Sequence, residues 1–159
     1  MELADVLLQA LKLEEDGRDF YSETAERSED SESAEMYRTL AADEVKHYNY
    51  IKRQYEALQE GEGWAPIPEL EQVDELETVS LIFPPGKKAL EVLPDNASAE
   101  EALLFGLSVE DKSFKMYYNS SQRAKDPDAR QMFLQLAAAE QTHFNILMQR
   151  YESRYGYPR

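Results

Sequence analysis

The sequence lacks or is poor in several features that define large classes of proteins. The 159 residues include no cysteine, which excludes disulfide bridges, thiolate metal sites and rubredoxin-type iron within this chain. Positive charge is scarce, since 17 Lys and Arg stand against 32 Asp and Glu, and the formal net charge is −15. Nucleic acids and anionic membranes would be repelled, so we expect neither as a partner.

Long apolar runs are also missing. No run approaches the roughly 20 residues that a membrane-spanning helix needs. The first residues, MELADVLLQALKLEEDG, have neither the basic start nor the cleavage site of a secretory signal. We therefore expect a cytoplasmic protein.

Glycine is scarce too, at 6 residues, whereas Ala, Leu, Glu, Gln and Lys are abundant, which favours helices throughout. Ser98 and Glu101 form a capping-box pattern, and Asp126 precedes Pro127 at a predicted first helical position. Asp30 occupies the corresponding place in the first half of the chain. We predict an all-α chain. Its four helices should lie near 2–28, 31–60, 98–124 and 127–153.

The chain is duplicated internally at an offset of 96 residues. Residues 10–57 align with 106–153 without a gap, and fourteen aligned pairs are identical. The identical pairs include Glu14/Glu110, Tyr21/Tyr117, Asp30/Asp126, Glu44/Glu140, His47/His143 and Tyr55/Tyr151. Each copy therefore should form the same unit, a hairpin of two helices.

The segment between the copies, 61–97, has a different composition and holds five of the seven prolines. A connection of this length in an all-helical protein is typical of a crossover along a four-helix bundle. We expect a short helix near 69–77, and we expect Trp64, Ile82 and Phe83 to pack the crossover onto the helices. The predicted organisation is a single domain over 1–159, with repeat one at about 2–60, the crossover at 61–97 and repeat two at 98–153.

Charged and polar groups interrupt the apolar stripe of every predicted helix. On the second helix the stripe follows steps of three and four residues, from Met36 and Leu40 to Ile51 and Tyr55. Six residues that would ordinarily be solvated lie on such stripes: Glu14, Glu44, His47, Glu110, Glu140 and His143. The two histidines are the only ones in the chain, and each follows a glutamate by three residues.

The spacing also predicts that these groups lie at one level. Glu14 and Glu44 are each 15 residues from position 29, so both lie roughly 22 Å from the turn at about 1.5 Å per residue. Glu110 and Glu140 flank position 125 in the same way. Packing of the two halves by their apolar faces would bring all six groups into one layer.

Four buried carboxylates would destabilise a core by many kcal/mol unless cations neutralised them. Two divalent cations would balance the four charges, and Glu-x-x-His places both ligands on one helix face. Oxygen and imidazole nitrogen without sulfur fit iron or manganese, with zinc as an alternative. A single Glu-x-x-His usually marks a solvated surface, and a lone histidine on an apolar stripe is usually a hydrogen-bonded core residue. The repetition of the whole pattern favours a metal site.

With these residues the chain resembles the rubrerythrin-like proteins of the ferritin-like di-iron carboxylate superfamily. The segments LEEDGRDFY and VEDKSFKMY resemble the Glu-x6-Tyr helices of that family, and LIFPPG resembles a segment between its halves. The resemblance implies a ferritin-like four-helix bundle and two iron ions. It also implies roles for the ligands: terminal for Glu14 and Glu110, bridging for Glu44 and Glu140, terminal for His47 and His143.

The resemblance further implies an oxidoreductase that reduces hydrogen peroxide or dioxygen. Rubrerythrins usually carry a cysteine-ligated rubredoxin-like domain, so this chain would need an external electron-donor protein. Peroxide-reducing members also use a glutamate three residues after the third-helix ligand, where this chain has Ser113. The alternatives are an iron-binding or storage protein of the ferroxidase type, and a metal-binding protein without redox chemistry. The family likeness also favours a homodimer.

Two tyrosines and one aspartate lie beside the predicted ligands. Tyr21 and Tyr117 fall two turns along the ligand stripes, where their phenols could hydrogen-bond a ligand carboxylate or take part in redox chemistry. The alternative is that both are core tyrosines whose hydroxyls need a polar partner. We interpret Asp43 as a solvated side chain, with the orientation of a histidine as the alternative.

Overall fold

The computed structural model describes residues 2–61 and 96–156. Four α-helices make up almost all of these residues, and no strand occurs among them. In chain order they are α1 (Leu3–Arg27), α2 (Ser31–Gln59), α3 (Ala99–Arg123) and α4 (Pro127–Tyr155). The four predicted helices are confirmed, with ends that differ by at most two residues.

The helices begin where the sequence supplies acceptors for their first backbone N–H groups. The Asp30 carboxylate accepts from the Ser33 backbone N–H at 3.1 Å, and Asp126 accepts from the N–H groups of Asp128 and Ala129. Ser98 and Glu101 form the predicted capping box, with hydrogen bonds of 3.0 and 3.2 Å. These caps satisfy donors that a helix leaves without partners, and they define where α2, α3 and α4 start.

The chain divides into two compact units, one holding residues 2–61 and the other residues 96–156. In the first unit α1 packs on α2 after a three-residue turn, and in the second α3 packs on α4 after a turn of the same length. The Tyr151 hydroxyl on α4 also donates a hydrogen bond to the Glu100 carboxylate on α3, at 3.0 Å. The predicted fold class, all-α with two duplicated helix hairpins, is confirmed.

Several predictions concern the segment between the hairpins. The short helix near 69–77 and the packing of Trp64, Ile82 and Phe83 lie outside the described residues, so the crossover at 61–97 and the single domain over 1–159 stay predictions. Within the part of the chain that is described, no helix combines the length and the apolar character needed to cross a membrane.

Candidate metal centre

In the first hairpin, two carboxylates and an imidazole converge inside the helix pair. Glu14 on α1 and Glu44 and His47 on α2 each offer one ligand atom, and these atoms lie within 4.8 Å of one another. His47 Nδ1 lies 3.5 Å from Glu14 Oε2. All three side chains are buried. The apolar stripes bring them together, because each ligand replaces a core residue at its position in the helical repeat.

The second hairpin repeats this arrangement. Ligand atoms of Glu110 on α3 and of Glu140 and His143 on α4 also lie within 4.8 Å of one another. His143 Nδ1 is 3.4 Å from Glu110 Oε1, close to the corresponding distance in the first hairpin. Glu110 and His143 are both 0% exposed, and Glu140 is 1% exposed. We call the two sets the first triad (Glu14, Glu44, His47) and the second triad (Glu110, Glu140, His143).

The chemistry of each triad fits a divalent cation. Two buried carboxylates bring two negative charges away from water, and an unbalanced burial of this kind destabilises a protein by several kcal/mol per ion. A single divalent cation balances both charges. The imidazole nitrogen beside the carboxylate oxygens completes a ligand set that iron, manganese and zinc all accept. Each hairpin therefore carries donors of the right type, number and separation for one ion.

The metal-ligand roles of the six residues stay predictions, as does their arrangement in one layer. What the structure establishes is that three predicted ligands meet in each hairpin and that none of the six is exposed. The two triads are related by the same 96-residue offset as the sequences that contain them.

The two tyrosines are core residues of their hairpins. Tyr21 and Tyr117 are both 0% exposed. The ring of Tyr21 stacks on Tyr37 with centroids 6.0 Å apart, and the ring of Tyr117 stacks on Phe133 at 6.5 Å. These stacks hold the rings inside their hairpins, and the catalytic role of the phenols stays a prediction.

Ser113 directs its hydroxyl back to its own helix. The Oγ donates to the Val109 carbonyl oxygen at 2.8 Å, and the residue is buried. The side chain that stands where peroxide-reducing relatives have a glutamate is thus satisfied by the backbone of α3.

The interpretation of Asp43 as a solvated side chain was wrong. Asp43 is buried, and its carboxylate lies 3.7 Å from Lys46 Nζ, on a lysine whose side chain is 75% exposed. The charge can be buried because this lysine reaches it from the solvent side, as long aliphatic stems allow.

Asp16 on α1 is a second buried carboxylate that helical periodicity did not predict. It accepts a hydrogen bond from Lys12 at 2.7 Å, and this bond raises the pKa of Lys12.

Gly17 also has a role that the stripe did not indicate. It lies on the buried face of α1 between Glu14 and Tyr21, and a Cβ added there would come within 3.1 Å of Glu44 Oε2. The available signal was a glycine inside a long helix, on the same face as a ligand.

A model of the rubrerythrin family matches residues 5–93, more than half of the chain. The chain belongs to the rubrerythrin family. The matched range contains the first triad, and the internal duplication repeats the same pattern of two glutamates and a histidine in the second triad. This rubrerythrin-family chain has no cysteine with which to form a rubredoxin-type iron centre.

One solved structure with the same fold is a hypothetical protein from Pyrococcus furiosus. Its sequence is 22% identical, the alignment covers 96% of this chain and 89% of that one, and the TM-score is 0.68. At this identity the match concerns the fold alone, and it agrees with the predicted ferritin-like class. No curated protein sequence matches the chain significantly.

Proposed function

We propose that this rubrerythrin-family protein is a di-iron oxidoreductase that reduces hydrogen peroxide or dioxygen. Each hairpin would supply one triad, with Glu14, Glu110 and the two histidines as terminal ligands and Glu44 and Glu140 as bridging ligands. The observation that carries the proposal is the matched pair of buried Glu-Glu-His triads in a chain of this family.

The balance of charge supports two divalent cations, and membership of the rubrerythrin family favours iron among them. Four carboxylates would neutralise two ferrous ions, and the neutral imidazoles would complete the ligand shells without adding charge. Two ferrous ions held by these residues would supply two electrons, which is enough to reduce peroxide to water or dioxygen to peroxide. The protein's own part is to hold the carboxylates and imidazoles in a dry interior, where their charges interact strongly with a cation.

The phenols of Tyr21 and Tyr117 are proposed to support the ligands. Both rings are fixed by aromatic stacking inside the hairpins, so their hydroxyls have little freedom. A phenol held in this way can donate a hydrogen bond to a ligand carboxylate and so orient it.

The source of electrons would be a separate protein, since this chain cannot form the cysteine-ligated iron site found in many relatives. We also propose a homodimer and a cytoplasmic location. The strongly negative net charge of −15 would favour a donor with a positively charged docking surface.

The test combines metal analysis with oxidant consumption. Protein purified without chelators should contain iron, and its reduced form should consume peroxide or oxygen while absorption of ferric iron develops in the near ultraviolet. A protein that contains only zinc, and that consumes neither oxidant after reconstitution with ferrous iron, would refute the redox proposal.

Ser113 favours a second candidate function, iron binding or storage with ferroxidase activity. The glutamate expected of peroxide-reducing relatives is missing, and the Ser113 hydroxyl is engaged by Val109. The two candidates predict different numbers of ferrous ions oxidised per chain. A ferroxidase oxidises many ferrous ions per chain with dioxygen and accumulates ferric mineral, whereas a peroxide reductase cycles its own iron and stores none.

A further inference from the structure

Gly17 is in close contact with one of the predicted ligands. A Cβ built on Gly17 would lie 3.1 Å from Glu44 Oε2, 3.3 Å from its Cδ and 3.7 Å from its Cγ. The Glu44 side chain therefore runs from α2 to the surface of α1 and ends against the backbone at Gly17. The carboxylate occupies the space that any other residue at position 17 would fill with its own side chain.

The backbone gives no other reason for glycine at this position. The described residues with positive φ include Gly61 and Gly156 but not Gly17, which has ordinary helical geometry. Glycine is a poor helix former, and Gly17 lies well inside a 25-residue helix. The unfavourable choice is explained by the neighbouring carboxylate.

The second hairpin provides an internal comparison. The residue aligned with Gly17 is Ser113, which carries a Cβ and a hydroxyl hydrogen-bonded to Val109. A side chain is thus compatible with the hairpin at this point of the repeat. The requirement for glycine is specific to the first hairpin and to the position that Glu44 takes there.

We propose that Gly17 is a positioning residue: it leaves the space in which the Glu44 carboxylate lies when it binds metal in the first triad. This inference rests on the proposed metal-binding function. The absence of a side chain at position 17 lets Glu44 bring an oxygen within 4.8 Å of the ligand atoms of Glu14 and His47.

An added methyl group would move the ligand and leave the helix in place. The atoms that it would meet are the far end of a flexible glutamate side chain, which can rotate away more easily than the α1 backbone can shift. A Cβ–Oε2 distance of 3.1 Å is a few tenths of an ångström shorter than ordinary van der Waals contact, so the Glu44 carboxylate would be displaced. Changes in residues that orient a ligand typically weaken metal binding about 10- to 100-fold.

The experiment compares the full-length wild type with Gly17→Ala, and uses Ser113→Ala as the matched control. Each protein is stripped of metal, its melting temperature is measured, and ferrous iron is then titrated anaerobically in competition with a coloured chelator. Ser113→Ala also favours the helix at the aligned position of the other hairpin, but it removes a hydroxyl group and adds no atom. Gly17→Ala should melt at or above the wild-type temperature without metal, and should bind iron about 10- to 100-fold more weakly in the first triad. Ser113→Ala should bind iron as the wild type does.

Two outcomes would overturn the proposal alone. One is wild-type iron affinity in Gly17→Ala, which would show that Glu44 can bind metal without the space that Gly17 leaves. The other is a metal-free Gly17→Ala protein that melts well below the wild type, because the methyl group would then disturb the hairpin as a whole. Failure of the wild type itself to bind iron would overturn the metal centre together with this inference, and is distinguished from the other two outcomes by that first titration.

Discussion

Replacing Glu140 by glutamine should stabilise the metal-free protein and greatly reduce the further stabilisation that bound metal provides. Ligand atoms of Glu110 and Glu140 lie within 4.8 Å of each other, and Glu140 is 1% exposed. Two like charges at this separation repel by about 3.5 kcal/mol at an effective dielectric constant of about 20. Glutamine has the shape of glutamate without its charge, so Glu140→Gln removes this repulsion, and with it one negative charge that a cation requires.

Burial of the new amide offsets part of the gain, so we expect the metal-free variant to be more stable by about 2–3 kcal/mol. For a chain of this size each kcal/mol corresponds to about 2–4 °C, which gives a rise in melting temperature of roughly 4–12 °C. Circular dichroism at 222 nm on chelator-treated protein measures this rise. The same measurement with Mn²⁺ present should show that the metal raises the melting temperature of the wild type far more than that of the variant.

Glu152→Gln is the control, because Glu152 lies on the same helix and is exposed. It should change neither the metal-free melting temperature nor the response to Mn²⁺. A Glu140→Gln protein that is less stable than the wild type without metal, or that responds to Mn²⁺ as strongly, would refute the reasoning that these carboxylates are buried for a cation.

Three further changes test other parts of the account. Burial raises the pKa of Tyr50 above its usual value near 10, and its buried hydroxyl has no hydrogen-bond partner among the described residues. The stability that this shift contributes is complete below about pH 10 and is lost as the pH rises further. Tyr50→Phe should therefore unfold in urea at pH 7 with a free energy no lower than that of the wild type, and should lose less of it above pH 10. A loss above pH 10 as steep as that of the wild type would contradict this. Asp126→Ala should lower the melting temperature by about 2–4 °C, because the α4 cap is lost, and should leave the iron affinity unchanged. Asp128→Ala is the control. A melting temperature of Asp126→Ala equal to that of the wild type would show that the cap contributes nothing. Tyr117→Phe should bind iron about 10-fold more weakly and consume peroxide or oxygen more slowly in stopped-flow measurements. Wild-type affinity and a wild-type rate would assign Tyr117 to the core alone.

The sequence predicted the helices and the hairpins well because their signals are local. Asp30, Ser98 and Asp126 each cap the helix that the pattern assigned to them, and the cap depends on residues only two or three positions away. The 96-residue repeat added a second, independent reading of each hairpin. The convergence of each triad was also predictable, because helical periodicity and equal distances from a turn determine which side chains face each other.

Contacts that depend on where a side chain ends were not predictable in this way. The periodicity places Asp43 at the edge of a buried face, but it does not show that Lys46 can reach its carboxylate from the solvent. Helical periodicity places Gly17 on the buried face of α1, but the reason for a glycine there is the final position of the Glu44 carboxylate, on another helix. Both contacts depend on side-chain rotamers and on the separation of two helices, and a one-dimensional pattern contains neither.

The most direct test of the central claim is the number of ferrous ions that the metal-free protein binds under anaerobic conditions. Equilibrium dialysis followed by iron analysis should give two ions per wild-type chain, one for each triad, and the combined His47→Ala and His143→Ala variant should bind both far more weakly. A wild type that binds no iron, or a double variant that still binds two ions with wild-type affinity, would contradict the assignment of the two triads as a metal centre.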